Sequence, residues 1–147
     1  MITRTFAMSE FVGSHTATRL GIDNSPSASV SATIINILAP CMQQIRDLLG
    51  VPVIIKSGYR CPVLNRTVRG AWNSQHLTGN AADFVAPTFG SPREICAFMV
   101  QHMDEIGFDQ LIHEVAWVHV SFAVHKRAQV LTAHFTDAGV HYTPGLA

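Results

Sequence analysis

The most informative pattern in the chain is the ten-residue stretch Ser74-Gln75-His76-Leu77-Thr78-Gly79-Asn80-Ala81-Ala82-Asp83. Its end begins the apolar run Ala81-Ala82-Asp83-Phe84-Val85, which predicts a buried strand interrupted by one carboxylate. A carboxylate in that position must be exposed, paired or bound to a metal. Gly79 can take backbone angles that other residues avoid, so a turn at Gly79-Asn80 can bring His76 back beside Asp83. We therefore expect a loop and a strand that place His76 and Asp83 close together.

A second candidate strand, at 117–124, carries another histidine. Its alternation puts Trp117, His119 and Ser121 on one face. A catalytic zinc needs three protein ligands of the nitrogen or oxygen type and an open position for water, usually with two ligands close in sequence and one distant. His76, Asp83 and His119 satisfy that count. Each residue taken alone also fits an ordinary core or surface position, so the prediction depends on the three together.

The rest of the sequence surrounds these residues with helices and strands. Apolar residues at three- and four-residue steps predict a main helix over 29–49, with a kink or break at Ala39 because Pro40 lacks a backbone N–H. The other predicted elements are a short helix opened by Ser9-Glu10-Phe11, a strand at 51–55, a helix at 61–68, a helix at 92–103, and strands at 108–114 and 117–124 joined as a hairpin. We expect one α+β domain over 1–147, with an N-terminal cover at 1–28, a catalytic core at 29–131 and a tail at 132–147.

Composition argues against two kinds of partner. The 147 residues include ten Lys and Arg against ten Asp and Glu, and the longest basic run is Lys126-Arg127. Nucleic acid is therefore not an expected partner, because phosphate binding requires a basic surface. Cys41, Cys61 and Cys96 form no CxxC pattern and are predicted to be reduced thiols. No apolar run reaches the roughly 20 residues of a membrane span and no signal peptide is visible, so we expect synthesis in the cytoplasm and no membrane contact.

The sequence resembles the zinc D-alanyl-D-alanine peptidase family in three segments: Ser57-Gly58-Tyr59-Arg60, the stretch from Ser74 to Asp83, and Trp117-Val118-His119-Val120-Ser121. The resemblance runs from about Ser9 to Leu131 and is closest to small members often encoded by phages or prophages. It implies a small α+β peptidase fold, with an antiparallel sheet and helices packed on one side. It also implies zinc held by His76, Asp83 and His119, and peptidoglycan stem peptides as substrates.

The resemblance further implies roles for residues around the metal. Arg60 corresponds to a substrate-site residue that would hold a carboxylate or a developing oxyanion, and its alternative role is to cap the following helix. The other candidates for the peptide-binding cleft are Ser74 and Gln75 as hydrogen-bonding groups and Tyr59 and Trp117 as walls. Plain packing is the alternative for the two aromatic residues.

The general base is the point at which the sequence departs from the family. Many relatives have an acid three residues before the last histidine ligand, and here that residue is Ala116. The nearest acid is Glu114, five residues before His119 and next to a turn at Val115-Ala116. Strict strand alternation would point Glu114 and His119 to opposite faces. Glu114 is therefore either the base or a solvated turn residue.

Together, these features predict a zinc metallopeptidase that hydrolyses a peptide bond in peptidoglycan stem peptides, as a D-Ala-D-Ala carboxypeptidase or an endopeptidase. Glu114 would move the proton and Arg60 would hold the substrate. The alternative is a catalytically inactive, zinc-stabilised structural or binding module, such as a phage virion component, and Ala116 favours it. We expect a monomer that acts at the cell wall or as a phage component.

Overall fold

The computed structural model, which describes residues 1–147, contains seven α-helices. They are, in chain order, α1 (Met8–Val12), α2 (His15–Leu20), α3 (Ala28–Thr33), α4 (Ala39–Leu49), α5 (Pro62–Thr67), α6 (Pro92–Gln101) and α7 (Met103–Ile106). A π-helical segment, Ile34–Leu38, joins α3 to α4, and a 3₁₀ turn, Gln75–Thr78, precedes the second strand. None of the helices has the length and apolar character needed to cross a membrane.

The long helix predicted over 29–49 is interrupted close to the predicted position. The π-helical segment Ile34–Leu38 ends where α4 begins, and Pro40 lies in the first turn of α4. Proline cannot donate a hydrogen bond to the preceding turn and its ring crowds that turn, and the wider π turn accommodates both effects. Met42 and Ile45 stay fully buried, so the apolar face continues past the break.

Six strands form one sheet in the order β1-β2-β4-β3-β5-β6. The strands are β1 (Ile54–Ser57), β2 (Ala81–Val85), β3 (Gln110–His113), β4 (Val118–Ser121), β5 (Gln129–Thr136) and β6 (Gly139–Pro144). Every neighbouring pair is antiparallel except β3 and β5, which are parallel. The fold is thus α+β with a mostly antiparallel sheet, which confirms the predicted fold class.

Two parts of the sheet differ from the sequence predictions. β1 begins at Ile54 rather than at residue 51, because Pro52 has no N–H to give to a sheet ladder and Val53 packs into the core. Residues 132–147, predicted as a tail, supply most of β5 and all of β6. The predicted hairpin over 108–124 is present as β3 and β4.

The two faces of the sheet have different surroundings. Phe84, Leu111 and Val118 are buried in the hydrophobic core, and α6 packs against β3 and β4. The other face carries Asp83 and His119 and lines a cavity of about 730 Å³. Because side chains alternate along a strand, the same strands supply both the core and the cavity.

Asn24 joins the N-terminal segment to the loop that follows β1. The Asn24 side-chain amide donates to the carbonyls of Val12 and Tyr59, and its Oδ1 accepts from the Cys61 N–H. Phe11 is fully buried in the same core as the sheet. The residues predicted as an N-terminal cover therefore share one hydrophobic core with the rest of the chain.

Candidate metal centre

His76, Asp83 and His119 lie together on the cavity side of the sheet. His76 Nε2 is 3.3 Å from Asp83 Oδ1, and His119 Nδ1 is 2.8 Å from the same oxygen. One potential ligand atom from each residue lies within 4.8 Å of the other two. The structure thus brings together the three residues that the sequence analysis selected as metal ligands.

The register of the sheet positions Asp83 and His119. β2 and β4 are antiparallel, with Asp83 directly opposite His119, so the two side chains leave the same face side by side. The adjacent pair, Phe84 and Val118, faces the core. A slip of one residue would exchange the two faces, so burial of the apolar pair keeps the polar pair on the cavity side.

His76 reaches the site from the 3₁₀ turn before β2. The Ser74 hydroxyl accepts a hydrogen bond from the His76 N–H at 3.2 Å, and Gly79 ends the turn with a φ of 77°. Glycine takes that angle without strain, which is the turn that the sequence predicts. His76 Nδ1 donates to the Gly58 carbonyl at 2.6 Å. This bond fixes the tautomer, so the lone pair of Nε2 is available on the cavity side.

The carbonyl that holds His76 depends on a close approach of two chain segments. A Cβ at residue 58 would collide with the backbone carbonyl of Phe11, so only glycine fits there. In the two residues after Gly58, the Tyr59 N–H donates to that Phe11 carbonyl and the Arg60 N–H donates to the His76 carbonyl. These backbone hydrogen bonds fix the chain directly after the Gly58 carbonyl.

Burial and charge set the protonation states in the group. Burial lowers the pKa of His76 and outweighs the opposing attraction of Asp83, so the ring is neutral at neutral pH. Burial alone would raise the pKa of Asp83, but the attraction of His76 and the hydrogen bonds from His119 and His76 hold it well below its ordinary value. A neutral imidazole beside an ionised carboxylate is the state in which both groups bind a metal.

The geometry fits a zinc ion. Two ligands about 2.1 Å from a tetrahedral zinc lie about 3.4 Å apart. The separation of 3.3 Å between His76 Nε2 and Asp83 Oδ1 is close to this value, whereas the 2.8 Å between His119 Nδ1 and the same oxygen is the shorter distance of a direct hydrogen bond. Two imidazoles and one carboxylate leave the fourth position open, which is the arrangement of a catalytic rather than a structural zinc site.

Glu114 lines the same cavity as the three residues. The turn after β3 places Val115 at a φ of 64°, and the Glu114 N–H donates to the Trp117 carbonyl at 3.0 Å. The turn pairs Glu114 with Trp117, which shares a strand face with His119, so Glu114 lies on the same side as His119 although five residues separate them. Burial raises the pKa of Glu114 and the Asp83 carboxylate adds to the shift, while His119 and Arg60 offset part of it.

Arg60 places a cation beside the group. Its Nη2 lies 4.0 Å from Asp83 Oδ2, and its side chain is only 13% exposed. The buried Nε has no hydrogen-bond partner in the protein. Burial lowers the pKa of Arg60, and Asp83 and Glu114 counteract it, but a guanidinium stays charged. The site therefore holds an incompletely satisfied cation that faces the cavity.

The other predicted cleft residues divide between the cavity and the core. Ser74 and Trp117 line the cavity. Gln75 also lines it, but its amide Nε2 donates to Asp109 Oδ2 at 2.9 Å, so the side chain is engaged within the protein. The prediction that Tyr59 forms a wall of the cleft is wrong. Tyr59 is buried in the hydrophobic core and lies away from the cavity, because the backbone around it is hydrogen-bonded to the N-terminal segment.

Sequence reasoning missed two charged residues near the site, Asp109 and Arg127. Asp109 is 2% exposed at the start of β3, and its carboxylate accepts from Arg127 Nε at 3.0 Å and Arg127 Nη2 at 2.7 Å. Arg127 lines the cavity. The sequence carries no comparable signal for Asp109, because Gln110, His113 and Glu114 are also polar in that predicted strand and Asp109 does not interrupt an apolar run.

The sequence model of the family Peptidase M15 matches residues 4–121, a range that includes His76, Asp83 and His119. The chain belongs to the M15 peptidase family. This membership confirms the resemblance to the zinc D-alanyl-D-alanine peptidases and identifies the protein as a zinc-dependent metallopeptidase. A comparison with curated proteins finds no match. The matched range of the M15 peptidase ends with β4, so Arg127, β5 and β6 lie beyond it.

Proposed function

We propose that this M15 peptidase hydrolyses a peptide bond in peptidoglycan stem peptides, as a D-Ala-D-Ala carboxypeptidase or endopeptidase. The observation that carries the proposal is the position of Arg60, a nearly buried guanidinium 4.0 Å from the carboxylate of the candidate metal centre. A planar guanidinium matches the geometry of a carboxylate. A stem peptide that ends in D-alanine offers such a carboxylate one residue beyond its last peptide bond.

Each residue of the site has a defined task in this reaction. His76, Asp83 and His119 would hold zinc, which when bound activates water and polarises the scissile carbonyl. Arg60 would orient the substrate through its carboxylate or stabilise the oxyanion that develops on the carbonyl. Glu114 would accept the proton from water and return it to the leaving amine. Its raised pKa supports this role, because a general base works best when its pKa approaches the working pH.

The alternative is an inactive zinc-stabilised module, and it was favoured only by Ala116. Ala116 leaves the family's usual base position empty, but Glu114 lines the same cavity as the metal centre. A closed structural site would need neither a partly buried acid nor a nearly buried arginine beside its ligands. We further propose that the protein acts on the cell wall, either as a cellular enzyme or as a phage component.

The test is hydrolysis of two defined substrates by the zinc-loaded full chain. One is a synthetic stem pentapeptide that ends in D-Ala-D-Ala, and the other is purified peptidoglycan. Mass spectrometry distinguishes the products, since a carboxypeptidase releases one alanine and an endopeptidase cuts within the peptide or its cross-link. The same pentapeptide ending in L-Ala-L-Ala controls for stereochemistry.

Two variants complete this test. His119→Ala should abolish hydrolysis, whereas Arg66→Gln, which removes a charge on the exposed outer side of α5, should leave it unchanged. Cleavage of unrelated L-peptides with no action on either wall substrate would contradict the proposed substrate class. Zinc-loaded protein that cleaves no peptide at all would favour the inactive module.

A further inference from the structure

Arg127 is held in one orientation within the cavity by a buried carboxylate. Asp109 Oδ1 accepts from the Arg127 backbone N–H at 2.7 Å and from Nε at 3.0 Å, and Asp109 Oδ2 accepts from Nη2 at 2.7 Å. The Asp109 side chain is 3% exposed, whereas that of Arg127 is 52% exposed. The pair therefore has a buried side that fixes the guanidinium and an open side that faces the cavity.

One edge of the guanidinium remains free. Nε and Nη2 form the edge that binds Asp109, and Nη2 also lies 3.4 Å from Gln75 Oε1. A guanidinium has five N–H donors, so the hydrogens of Nη1 remain for a further acceptor. Because Asp109 already orders the side chain, a ligand that binds this edge loses little additional conformational entropy.

The cavity concentrates positive charge within a neutral chain. Its lining includes Lys56, Arg60, Arg69 and Arg127, and its only lining acids are Asp83 and Glu114. The whole chain, in contrast, has ten basic and ten acidic residues. Asp109, which pairs with Arg127, adds a third carboxylate to this region, so the four basic side chains still outnumber the acidic ones and favour an anionic ligand. Arg60 accounts for only one anionic group beside the metal centre.

The hydrogen bonds of the sheet indicate how far Arg127 lies from the metal centre. The Asp109 N–H donates to the Ser121 carbonyl, and Ser121 is two residues from His119 on β4. Two strand residues span about 7 Å. A group bound by Arg127 would therefore lie a short distance along an extended peptide from the bond at the metal centre.

We propose that Arg127 determines specificity by binding a second carboxylate of the substrate, carried on a residue near the scissile bond. The inference rests on the proposed function, because stem peptides carry such carboxylates on D-glutamate and on diaminopimelate. Asp109 is then a positioning residue: it touches no substrate and fixes the guanidinium that does. Amidation of that carboxylate would remove the anion and weaken recognition.

The experiment uses two pairs of stem peptides with the zinc-loaded full chain. The members of each pair are identical except that the carboxylate of D-glutamate, or of diaminopimelate, is either free or amidated. We expect wild type to prefer the free acid in at least one pair by about 10- to 100-fold in kcat/KM, the range of a charge-assisted hydrogen bond. Arg127→Gln should remove this preference mainly through KM and leave the amidated peptide within a few-fold of wild type.

The variants must separate binding from folding. Arg127→Gln leaves the buried Asp109 carboxylate without its main partner, which can destabilise the chain. The double variant Asp109→Asn with Arg127→Gln removes both charges and should show the same loss of preference with a retained thermal transition. Arg66→Gln, the exposed charge on α5, is the matched control and should keep the wild-type preference.

Each result distinguishes the inference from the proposed function. Cleavage of free and amidated peptides with equal efficiency by wild type would overturn the role of Arg127 and leave the stem-peptide activity standing. A preference that persists in the double variant would also overturn it. If wild type cleaves none of the peptides, the proposed function fails, and calorimetric binding of the same pairs decides the inference: equal affinity for acid and amide refutes it.

Discussion

Replacing Asp109 by asparagine should destabilise the protein in a pH-dependent way. The Asp109 carboxylate is buried and accepts hydrogen bonds from Arg127 and from the amide of Gln75. The hydrogen bonds from Arg127 outweigh the effect of burial and lower the pKa of Asp109 from 3.8 to about 2. The ionised carboxylate is therefore more stable in the folded chain than in the unfolded chain.

The size of the effect follows from the shift. A shift of one pKa unit corresponds to about 1.4 kcal/mol, so nearly two units give about 2 kcal/mol as an upper value. Solvent screens Arg127, whose side chain is half exposed, and we expect about 1–2 kcal/mol at pH 7. Because the folded pKa is the lower one, this stabilisation is complete above the unfolded pKa and decreases as the pH falls towards the folded pKa. About half of it should remain at pH 3.

The measurement is urea denaturation of wild type and Asp109→Asn at pH 7 and pH 3. Comparing the two proteins at each pH cancels effects common to both, such as loss of zinc in acid. Asp104→Asn, an exposed site on α7, is the matched control and should change the free energy of unfolding by less than about 0.5 kcal/mol. If the free energy of unfolding differs between wild type and Asp109→Asn by the same amount at both pH values, the argument is refuted. The variant would then lose stability for reasons other than the charge of Asp109.

Three further predictions concern the metal ligands, the base and the turn beside the base. Alanine at His76, Asp83 or His119 should abolish hydrolysis and most of the zinc content, and full zinc content in a folded variant, measured by metal analysis, would show that the residue is not a ligand. Glu114→Gln should lower kcat by about 100- to 10,000-fold with zinc retained, since it keeps the side-chain size; a rate within a few-fold of wild type would make Glu114 a turn residue. Val115→Gly should raise the free energy of unfolding by about 1 kcal/mol in urea denaturation, because it relieves a left-handed β-branched residue; a decrease would contradict that reasoning.

The site could be predicted from the sequence where a single residue departs from the pattern of its neighbours. Asp83 interrupts an apolar strand, Gly79 marks the turn before it, and both signals depend on a few adjacent residues. An irregularity in the helix near Pro40 was predictable for the same reason, because the missing N–H of proline acts within one helical turn, and it takes the form of the π-helical segment Ile34–Leu38. In each case the physical cause and its consequence lie within a short segment.

Features that depend on distant pairing were not accessible in this way. β5 pairs in parallel with β3, and this contact gives 129–136 its place in the sheet although its own pattern did not predict it. Asp109 and Arg127 are 18 residues apart, and no spacing rule connects them. Tyr59 was misplaced for a related reason: its aromatic type suits a cleft wall, but backbone contacts with Phe11 direct it into the core.

The position of Glu114 shows that the number of residues between two positions does not predict whether they share a face when a turn lies between them. Ala116 argues against catalysis only if the base must stand three residues before His119. The chain reverses at Val115-Ala116 and pairs Glu114 with Trp117, so Glu114, directly after β3, and His119, on β4, border the same cavity. What a general base requires is reach to the water beside the carbonyl, and sequence separation matters only through that geometry. An inactive module therefore has no support from Ala116 alone.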